Sequence, residues 1–456
     1  MITRLVLLGA TGDLAGRFLL PALARLVAAG QLPRGLQVVG GGHQDWTDRQ
    51  FRDHVESRLR EHAGELPDDA RSGFSSGLRY RQIDLDDADS VIRLVRAAAT
   101  GDDPSSAGPV GVYLALPSRT FPQALRALVA ADLPPGSRVA VEKPFGEDTE
   151  SATELNALLS RVRAGEPTSG FRVDHILGMP RVHDLVALRG GGAVLEPVWD
   201  ADHIERVEIL WEETLGVEGR AAFYDRTGAV KDVMQNHLLQ VLVLAAMELP
   251  DGGTEQDLHD AKVRLLRQVR EPSTAQMSTR TARARYTAGT LVDALAPAGR
   301  PVPGYAHAEG VDPARETETH AEVVLEIDAP RWSGVPFVLR TGKAMGVSRK
   351  GVLLHLREAA PETTPAGVDV VSSRELWIEL DGPGAVNAPG ELSAYQEVLT
   401  DLLTGGSQTS VSAEEAVEAW RIFDPVLRAW EAGAVPIDEY AAGSSGPSRG
   451  SSHVGG

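Results

Sequence analysis

A histidine set in a long helix-forming stretch is where this chain could do proton chemistry. In AVKDVMQNHLLQVLVLAAME, the residues Val230, Val233, Met234, His237, Leu238, Val241 and Leu242 recur at three and four positions, the period of an amphipathic helix. A lone histidine on such an apolar face is usually a satisfied core residue. Here Asp232, Asn236 and Gln240 run beside it, a line more polar than packing requires, and it reads as the floor of a sugar site. An imidazole with an unperturbed pKa of about 6.5 suits proton abstraction at neutral pH. A second acid and histidine are neighbours in FRVDHILGMP: Asp174 and His175. In an extended segment adjacent side chains point to opposite faces, so each is expected to serve a different partner. Asp174 would orient a distant histidine, with His237 the candidate, and His175 would meet a ligand.

Two further stretches carry groups suited to an anion or a cleft. GATGDLAG places Gly9, Gly12 and Gly16 directly after a strand-like run; a phosphate diester needs residues without side chains next to backbone amides, and a helix start offers unpaired N–H groups. Pro21 predicts that the regular helix begins only near Leu19, leaving Asp13 to Arg17 as a turn with Arg17 facing a pyrophosphate. A glycine turn without ligand is the competing reading. At the end of the second strand, VVGGGHQDW offers His43 and Asp45, where a carboxylate suits a free ribose diol and an arginine a 2′-phosphate. Asp45 therefore leans towards NAD, with Arg49 and Arg52 nearby; Asp45 or Thr47 capping the next helix is the alternative. VEKPFGED puts Lys143 before a proline, held extended at a strand end.

These groups need a scaffold, and the punctuation of the chain supplies one. RLVLLG, LQVVGGG, GVYLALP and SRVAVEKP read as buried strands separated by helix-like stretches, which implies a doubly wound parallel sheet of the Rossmann kind. HIERVEILWEE, THAEVVLEID, GVLLHLRE and ELWIELDG alternate apolar and polar residues, as a half-solvated antiparallel sheet requires. The boundaries expected are a dinucleotide-binding domain at 1–173, a β+α substrate and oligomerisation domain at 174–440 with a large mainly antiparallel sheet, and a disordered tail at 441–456. RAAATGDDPSSAGP, LAPAGRPVPG and EAAPETTPAGVD are expected to be surface loops. DLDDADSVIRLV lacks the glycine and terminal glutamate of a calcium loop and is expected to cap a helix.

Composition narrows the chemistry. At 456 residues with 42% hydrophobic and 24% charged content, the chain is long enough for two domains and far from the disordered class. The formal charge of −19 argues against nucleic acid as a partner. With no cysteine, thiolate metal sites and thiol nucleophiles are excluded, and no histidine–carboxylate cluster has metal-ligand spacing. The N-terminal run LVLL is too short for a signal segment or a membrane span, so a cytoplasmic protein is expected.

In family order, GATGDLA (Gly9–Ala15), YLALP (Tyr113–Pro117), EKPFG (Glu142–Gly146), RVDHILG (Arg172–Gly178), EGR (218–220), DVMQNHLLQ (Asp232–Gln240), VPFVLRTGKAM (Val335–Met345) and AWRIFDP (Ala419–Pro425) resemble the glucose-6-phosphate dehydrogenase family over nearly the whole chain. The resemblance implies a Rossmann domain followed by a β+α domain, and oxidation of the C1 hydroxyl of a pyranose to a 1,5-lactone with NADP or NAD. It makes His237 the general base and Asp174 its partner. It places Lys143, His175, Glu213, Asp232 and Lys343 at the substrate, His175 on its phosphate. Gly9, Thr11, Gly12, Asp13, Leu14, Arg17, His43, Leu116, Pro117 and Lys143 fall at cofactor positions. A homodimer or homotetramer is implied as well.

The chain also departs from that pattern. Where the family commonly reads D-H-Y-L-G-K, this sequence has Asp174, His175, Ile176, Leu177, Gly178 and Met179, so the tyrosine and lysine implied to hold a sugar phosphate are absent. Two substrates stay open: glucose 6-phosphate, with His175, Lys343, Arg349 or Lys350 supplying charge, and a hexose unphosphorylated or modified at C6. A non-catalytic sensor of nucleotide or sugar is a third reading, against which Lys143, Asp174 and His237 stand together. NAD is expected to serve at least as well as NADP, because Gly42, His43 and Gln44 include no arginine.

Overall fold

The computed structural model describes all residues except 33–34, 102–106, 163–165, 167–168, 191–192, 194, 218, 294–295, 362–363, 382–389 and 448–456. By contacts the chain divides into two compact units, Met1–Pro180 with Gly384–Ala416, and Arg181–Pro383 with Val417–Gly456. That division differs from boundaries at 173 and 440 for a physical reason. The helix Gly390–Thr404 carries Val398, Leu399, Leu402 and Leu403 into the same apolar core as Leu5, Leu7 and Leu23. The backbone amide of Ile2 donates to Leu403 O at 2.7 Å, and the short strand Ser410–Val411 pairs antiparallel with the last strand of the first sheet.

In the first unit, strands β1 (Arg4–Leu8), β2 (Gln37–Gly42), β3 (Arg79–Gln82), β4 (Gly111–Leu114), β5 (Arg138–Glu142) and β6 (Gly170–Val173) pair in parallel in the order β3-β2-β1-β4-β5-β6. The doubly wound expectation holds: β1, β4 and β5 are almost wholly buried, as strands covered on both faces must be. Strand order reverses between β1 and β4, and in such sheets ligands bind beyond the carboxyl ends at that point.

The loop after β1 departs from expectation. The chain turns helical at Asp13, not near Leu19: Ala15–Leu19 forms a wide π-type turn that runs into helix α1 (Leu20–Ala28), with Pro21 in its first turn. A proline cannot donate to the preceding turn and crowds its carbonyl, and a widened turn tolerates both while the helix stays continuous.

The second unit is built on a nine-stranded sheet. Its path runs Val368–Ser372, Glu375–Glu379, Arg349–Leu356, β7 (Ile204–Glu212), Pro336–Gly342, His320–Ile327, Thr281–Thr287, Ile437–Ala441, and the ninth strand, Val269–Arg270, pairs with the end of His320–Ile327 off that path. Most pairs are antiparallel, but β7 runs parallel to Pro336–Gly342 and Thr281–Thr287 parallel to Ile437–Ala441. The central strands are not half-solvated as their alternation suggested. Glu208, Glu212 and Glu322 occupy polar positions yet are buried, because each meets a cation: Arg206 and Arg340 at Glu208, where the His355 ring also lies within 2.9 Å, Arg349 at Glu212, and Arg340 at Glu322. Alternation marks charge there without marking exposure.

One expected loop and part of the expected tail also resolve differently. Ala296–Val302, within LAPAGRPVPG, is a strand paired with Gly289–Asp293. Of the expected tail, residues 441–447 are held in place: Ala441 ends the last strand, and Gly443 N donates to Ala344 O at 2.8 Å. The remainder, 448–456, lies outside the described residues, as does 102–106 of the expected loop RAAATGDDPSSAGP. Asp87 caps the helix Ala88–Thr100 through the amide of Asp89, as expected of the Asp-rich stretch. Among the described residues no helix is long and apolar enough to cross a membrane.

Candidate active site

The loop after β1 is shaped by backbone. Gly9 has φ +85°, and a Cβ there would lie 2.1 Å from Ala115 O, so only glycine fits. Gly12 N donates to Gly9 O, and Thr11 Oγ1 donates to Gln44 Oε1 at 2.7 Å. Leu116 and Pro117 follow Ala115 after the end of β4, and Leu116 Cδ2 would be 3.2 Å from that Gly9 Cβ. Gly12, Asp13, Arg17, His43 and Pro117 are exposed and Leu14 is half-buried. Arg17 reaches Asp13 at 3.3 Å. A cradle that one methyl would fill, next to a helix start, fits the phosphates of a nicotinamide dinucleotide.

After β2, the capping alternative resolves in favour of Thr47: its hydroxyl accepts from Gln50 N while Gln50 reaches back, completing a capping box for the helix Asp48–His62. Asp45 is exposed. Arg52 is committed to Leu78 O at 2.8 Å, and Arg49 lies in the open, 3.9 Å from Asp53.

At the ends of β5 and β6 a buried polar cluster forms. Glu142 is inside, hydrogen-bonded by the Tyr113 hydroxyl and also by Tyr395 of the helix Gly390–Thr404. Burial pushes its carboxyl up to about 7, opposed by the Tyr113 bond and the Lys143 charge and reinforced by Asp174. Lys143, half-buried, joins Pro144 through a cis peptide bond. β6 ends at Val173, so Asp174 and His175 do not alternate along a strand. Asp174 caps a 3-10 turn (His175–Gly178), and its carboxylate accepts from Ile176 N at 3.4 Å. His175 stacks on the Tyr395 ring, centroids 5.2 Å apart at 16°. The opposite-faces inference for this pair fails because the strand stops one residue early. Ile176 and Met179 are buried, at 0% and 2% exposure.

In the second unit, parallel pairing sets the register. Gly342 faces Glu212, so Glu213 and Lys343 leave adjacent strands side by side. Lys343 Nζ bonds Glu213 Oε2 and lies 3.2 Å from Asp232 Oδ2. Burial disfavours the ammonium, but Asp232 and then Glu213 more than offset this and hold its pKa above the ordinary lysine range. Next to them, Glu212 accepts from Arg349 at 2.7 and 2.6 Å, and Lys350 pairs with Asp381 at 3.0 Å, its Nζ 4.7 Å from the centre of the Trp211 ring.

His237 is buried, as a core histidine or a shielded base would be, and its ring lies 5.8 Å from Trp211. The helix that carries it is not the regular one its periodicity predicts. Val230–Leu238 is π-wound and passes into α-helix at Leu239. On an α-helix Asp232 and His237 would be about 140° apart; i→i+5 winding turns them towards one side, and such segments recur at functional sites. Asn236 is not free to floor a sugar site: its amide donates to Lys231 O at 2.8 Å and its carbonyl accepts from His237 N at 2.7 Å. Glu318 starts this helix by accepting from Val230 N at 3.0 Å.

Glu213, Asp232 and Lys343 are thus brought together in the second unit, on whose π-wound helix His237 also lies, and Lys143, Asp174 and His175 follow strand ends in the first. Sequence reasoning missed Trp211, Glu318, Tyr113 and Tyr395. None has a local signal, since each matters only through residues far away in the chain.

The chain matches a family model described as the NAD-binding domain of glucose-6-phosphate dehydrogenase over residues 6–184, and one described as the C-terminal domain over 186–386 and 369–455. A glucose-6-phosphate 1-dehydrogenase of Rhizobium meliloti (strain 1021) is 32% identical, covering 97% of this chain and 94% of that protein. A solved glucose-6-phosphate 1-dehydrogenase from Mycobacterium avium is similar in structure at TM-score 0.79 and 32% identity, over 97% of this chain and 95% of that one. A glucose-6-phosphate dehydrogenase solved with glucose 6-phosphate gives TM-score 0.82 at 26% identity, over 98% and 97%.

Proposed function

Because the chain belongs to the glucose-6-phosphate dehydrogenase family, an oxidoreductase family with a nicotinamide cofactor, we propose that it oxidises the C1 hydroxyl of glucose 6-phosphate to the 1,5-lactone. The observation that carries this reading is the half-buried Lys343 held by Glu213 and Asp232, with His237 on the π-wound helix that also bears Asp232. The nicotinamide, when bound, supplies the hydride acceptor. His237 takes the O1 proton as hydride leaves C1, so that the carbonyl forms without a cationic centre. Asp174 orients that imidazole. Glu213, Asp232 and Lys343 hold sugar hydroxyls through charge-assisted hydrogen bonds, Lys143 positions the sugar against the cofactor, and His175 meets the 6-phosphate.

A second reading is favoured by a specific observation. Ile176 and Met179 present buried apolar side chains, and Lys343, Arg349 and Lys350 are each paired with a carboxylate. Four carboxylates, those of Glu212, Glu213, Asp232 and Asp381, thus face three cations, an environment better suited to a neutral hexose than to a dianion. Comparing kcat/KM for glucose and glucose 6-phosphate decides between them. One lost charge-assisted contact of about 1.5–3 kcal/mol costs one to two decades, so a phosphate preference above about a hundredfold supports the first reading and a preference for free glucose overturns it.

For the cofactor, we infer that NAD serves at least as well as NADP. The exposed Asp45 at the end of β2 suits a ribose diol, and Arg52 is engaged by backbone. Steady-state assays with both cofactors test this, and a tenfold or greater preference for NADP contradicts it.

A further inference from the structure

The C-terminal strand of the second unit does more than close a sheet. Ile437–Ala441 pairs with Thr281–Thr287 at the sheet edge, and from it Tyr440 reaches inward to the segment that carries Lys343. The phenol donates to Lys343 O at 2.6 Å; Thr319 O, at 3.4 Å, is the more distant acceptor. Thr319 Oγ1 lies 3.0 Å from the Tyr440 hydroxyl and itself accepts from Tyr286 N at 3.0 Å. With the Tyr440 proton directed at Lys343 O, the threonine hydroxyl is the donor to the phenol. A single ordered chain therefore runs from Tyr286 N–H through Thr319 and Tyr440 to the carbonyl of Lys343. Burial pushes the Tyr440 phenol above its ordinary range, so it remains a donor.

The turn that follows fastens the same segment from its other side. Gly443 N donates to Ala344 O at 2.8 Å, and Gly346 N donates to Ser444 O at 2.7 Å. Ala344, between these bonds, has φ +54°, a left-handed conformation that a non-glycine residue keeps only when its surroundings hold it. Lys343 N and Met345 N are bonded to Thr319 O and Glu213 O, at 2.9 Å each. The strap thus adds the carbonyls of residues 343 and 344 and the amide of 346 to the anchors that the sheet supplies.

We propose that this strap, Ile437–Ala441 with the turn 442–446, is a positioning device for Lys343, acting through the Tyr440 hydroxyl. It sets the direction in which the lysine stem leaves the backbone, and so where the ammonium meets Glu213, Asp232 and the sugar. The proposal rests on the reading of Lys343 as a sugar-binding residue.

Tyr440→Phe keeps the ring against Tyr286 and His320 and removes only the hydroxyl. The expected result is a sugar KM raised about three- to tenfold, the worth of one neutral hydrogen bond, with kcat and the nicotinamide KM within about twofold. Gly443→Ala attacks the strap at its turn, where φ is +84° and a Cβ would lie 2.0 Å from Thr290 O; it should raise the same constant selectively. In a Lys343→Ala background, Tyr440→Phe should add nothing. Equal loss of all parameters in both variants would make the strap merely structural and overturn the proposal, as would a sugar KM unmoved in both while Lys343→Ala raises it. If Lys343→Ala itself leaves the sugar KM unchanged, the sugar-binding reading fails, and hydrogen exchange judges the strap separately. Faster exchange of the amides of residues 343–346 in Tyr440→Phe supports it, and unchanged exchange overturns it.

Discussion

The glycine loop after β1 and the Lys343–Asp232–His237 region are built by opposite means. The loop is made of backbone: Gly9 in a left-handed conformation against Ala115 O, and a helix start behind it. The second region is made of side chains that tertiary pairing assembles, Lys343 beside Glu213 through parallel register and Asp232 near His237 through a π-wound helix. A backbone site depends on residues that lack side chains and tolerates change elsewhere in the loop. A side-chain site tolerates backbone change poorly, because its geometry is inherited from every strand that sets its register.

The largest effect expected separates the two by function. His237→Asn removes the proposed base while keeping a polar group of similar size. kcat should fall by about two to four decades, the usual worth of general-base catalysis, with the nicotinamide KM within about twofold. An unchanged kcat would remove His237 from the chemistry and leave the side-chain region a structural core.

Glu142 tests whether the first unit also contains a side-chain-built region. Its carboxyl, raised by burial to about 7, is neutral in the folded protein over a range where the unfolded chain has already lost the proton. Its contribution is therefore fully present below about pH 4.5 and is lost as pH rises through about 7, a loss on the order of 3 kcal/mol. In Glu142→Gln that pH-dependent part disappears, so the variant should gain on the wild type between pH 5 and 7.5 in denaturant melts. Parallel stability curves across this range would show that the carboxyl titrates normally.

The backbone-built region is more legible in the sequence than the one built from side chains. β1, β2, β4 and β5 were readable because a buried parallel strand is an unbroken apolar run, and Gly9 because only one residue type fits its conformation. The second sheet was readable as strands but not in burial, since Glu208, Glu212 and Glu322 look solvent-facing until Arg206, Arg340 and Arg349 are placed beside them. The π winding at Val230–Leu238 has no signature in an apolar period of three and four. Tyr440 was hidden for another reason: it is the last residue before the expected tail, and a strand five residues long there carries no signal until its partners at Thr319 and Lys343 are known.

Gly9→Ala attacks the backbone site directly. A methyl 2.1 Å from Ala115 O at φ +85° must displace either the loop or the end of β4, at a cost of about 1–3 kcal/mol. The nicotinamide KM should rise about ten- to a hundredfold, with the sugar KM little changed, the reverse of the Lys343→Ala pattern. Equal rises in both constants would mean that the loop and the side-chain region are one site energetically, and the contrast between them would collapse.

The smallest effect sharpens the boundary of the backbone site. Thr47 follows the segment where a nucleotide ribose would be read, and the structure uses it as a helix cap with Gln50. Thr47→Ala should lower stability by about 1 kcal/mol, the usual worth of an N-cap, and leave the KM for NAD unchanged, as read by thermal melts and steady-state assays on the same preparation. A capping box acts on the first turn of its own helix and has no route to the ribose except through the exposed stretch from His43 to Trp46. A rise in the KM for NAD without loss of stability would therefore place the nucleotide against Thr47 itself and extend the backbone site past Asp45, at the expense of the carboxylate as the group proposed to favour NAD.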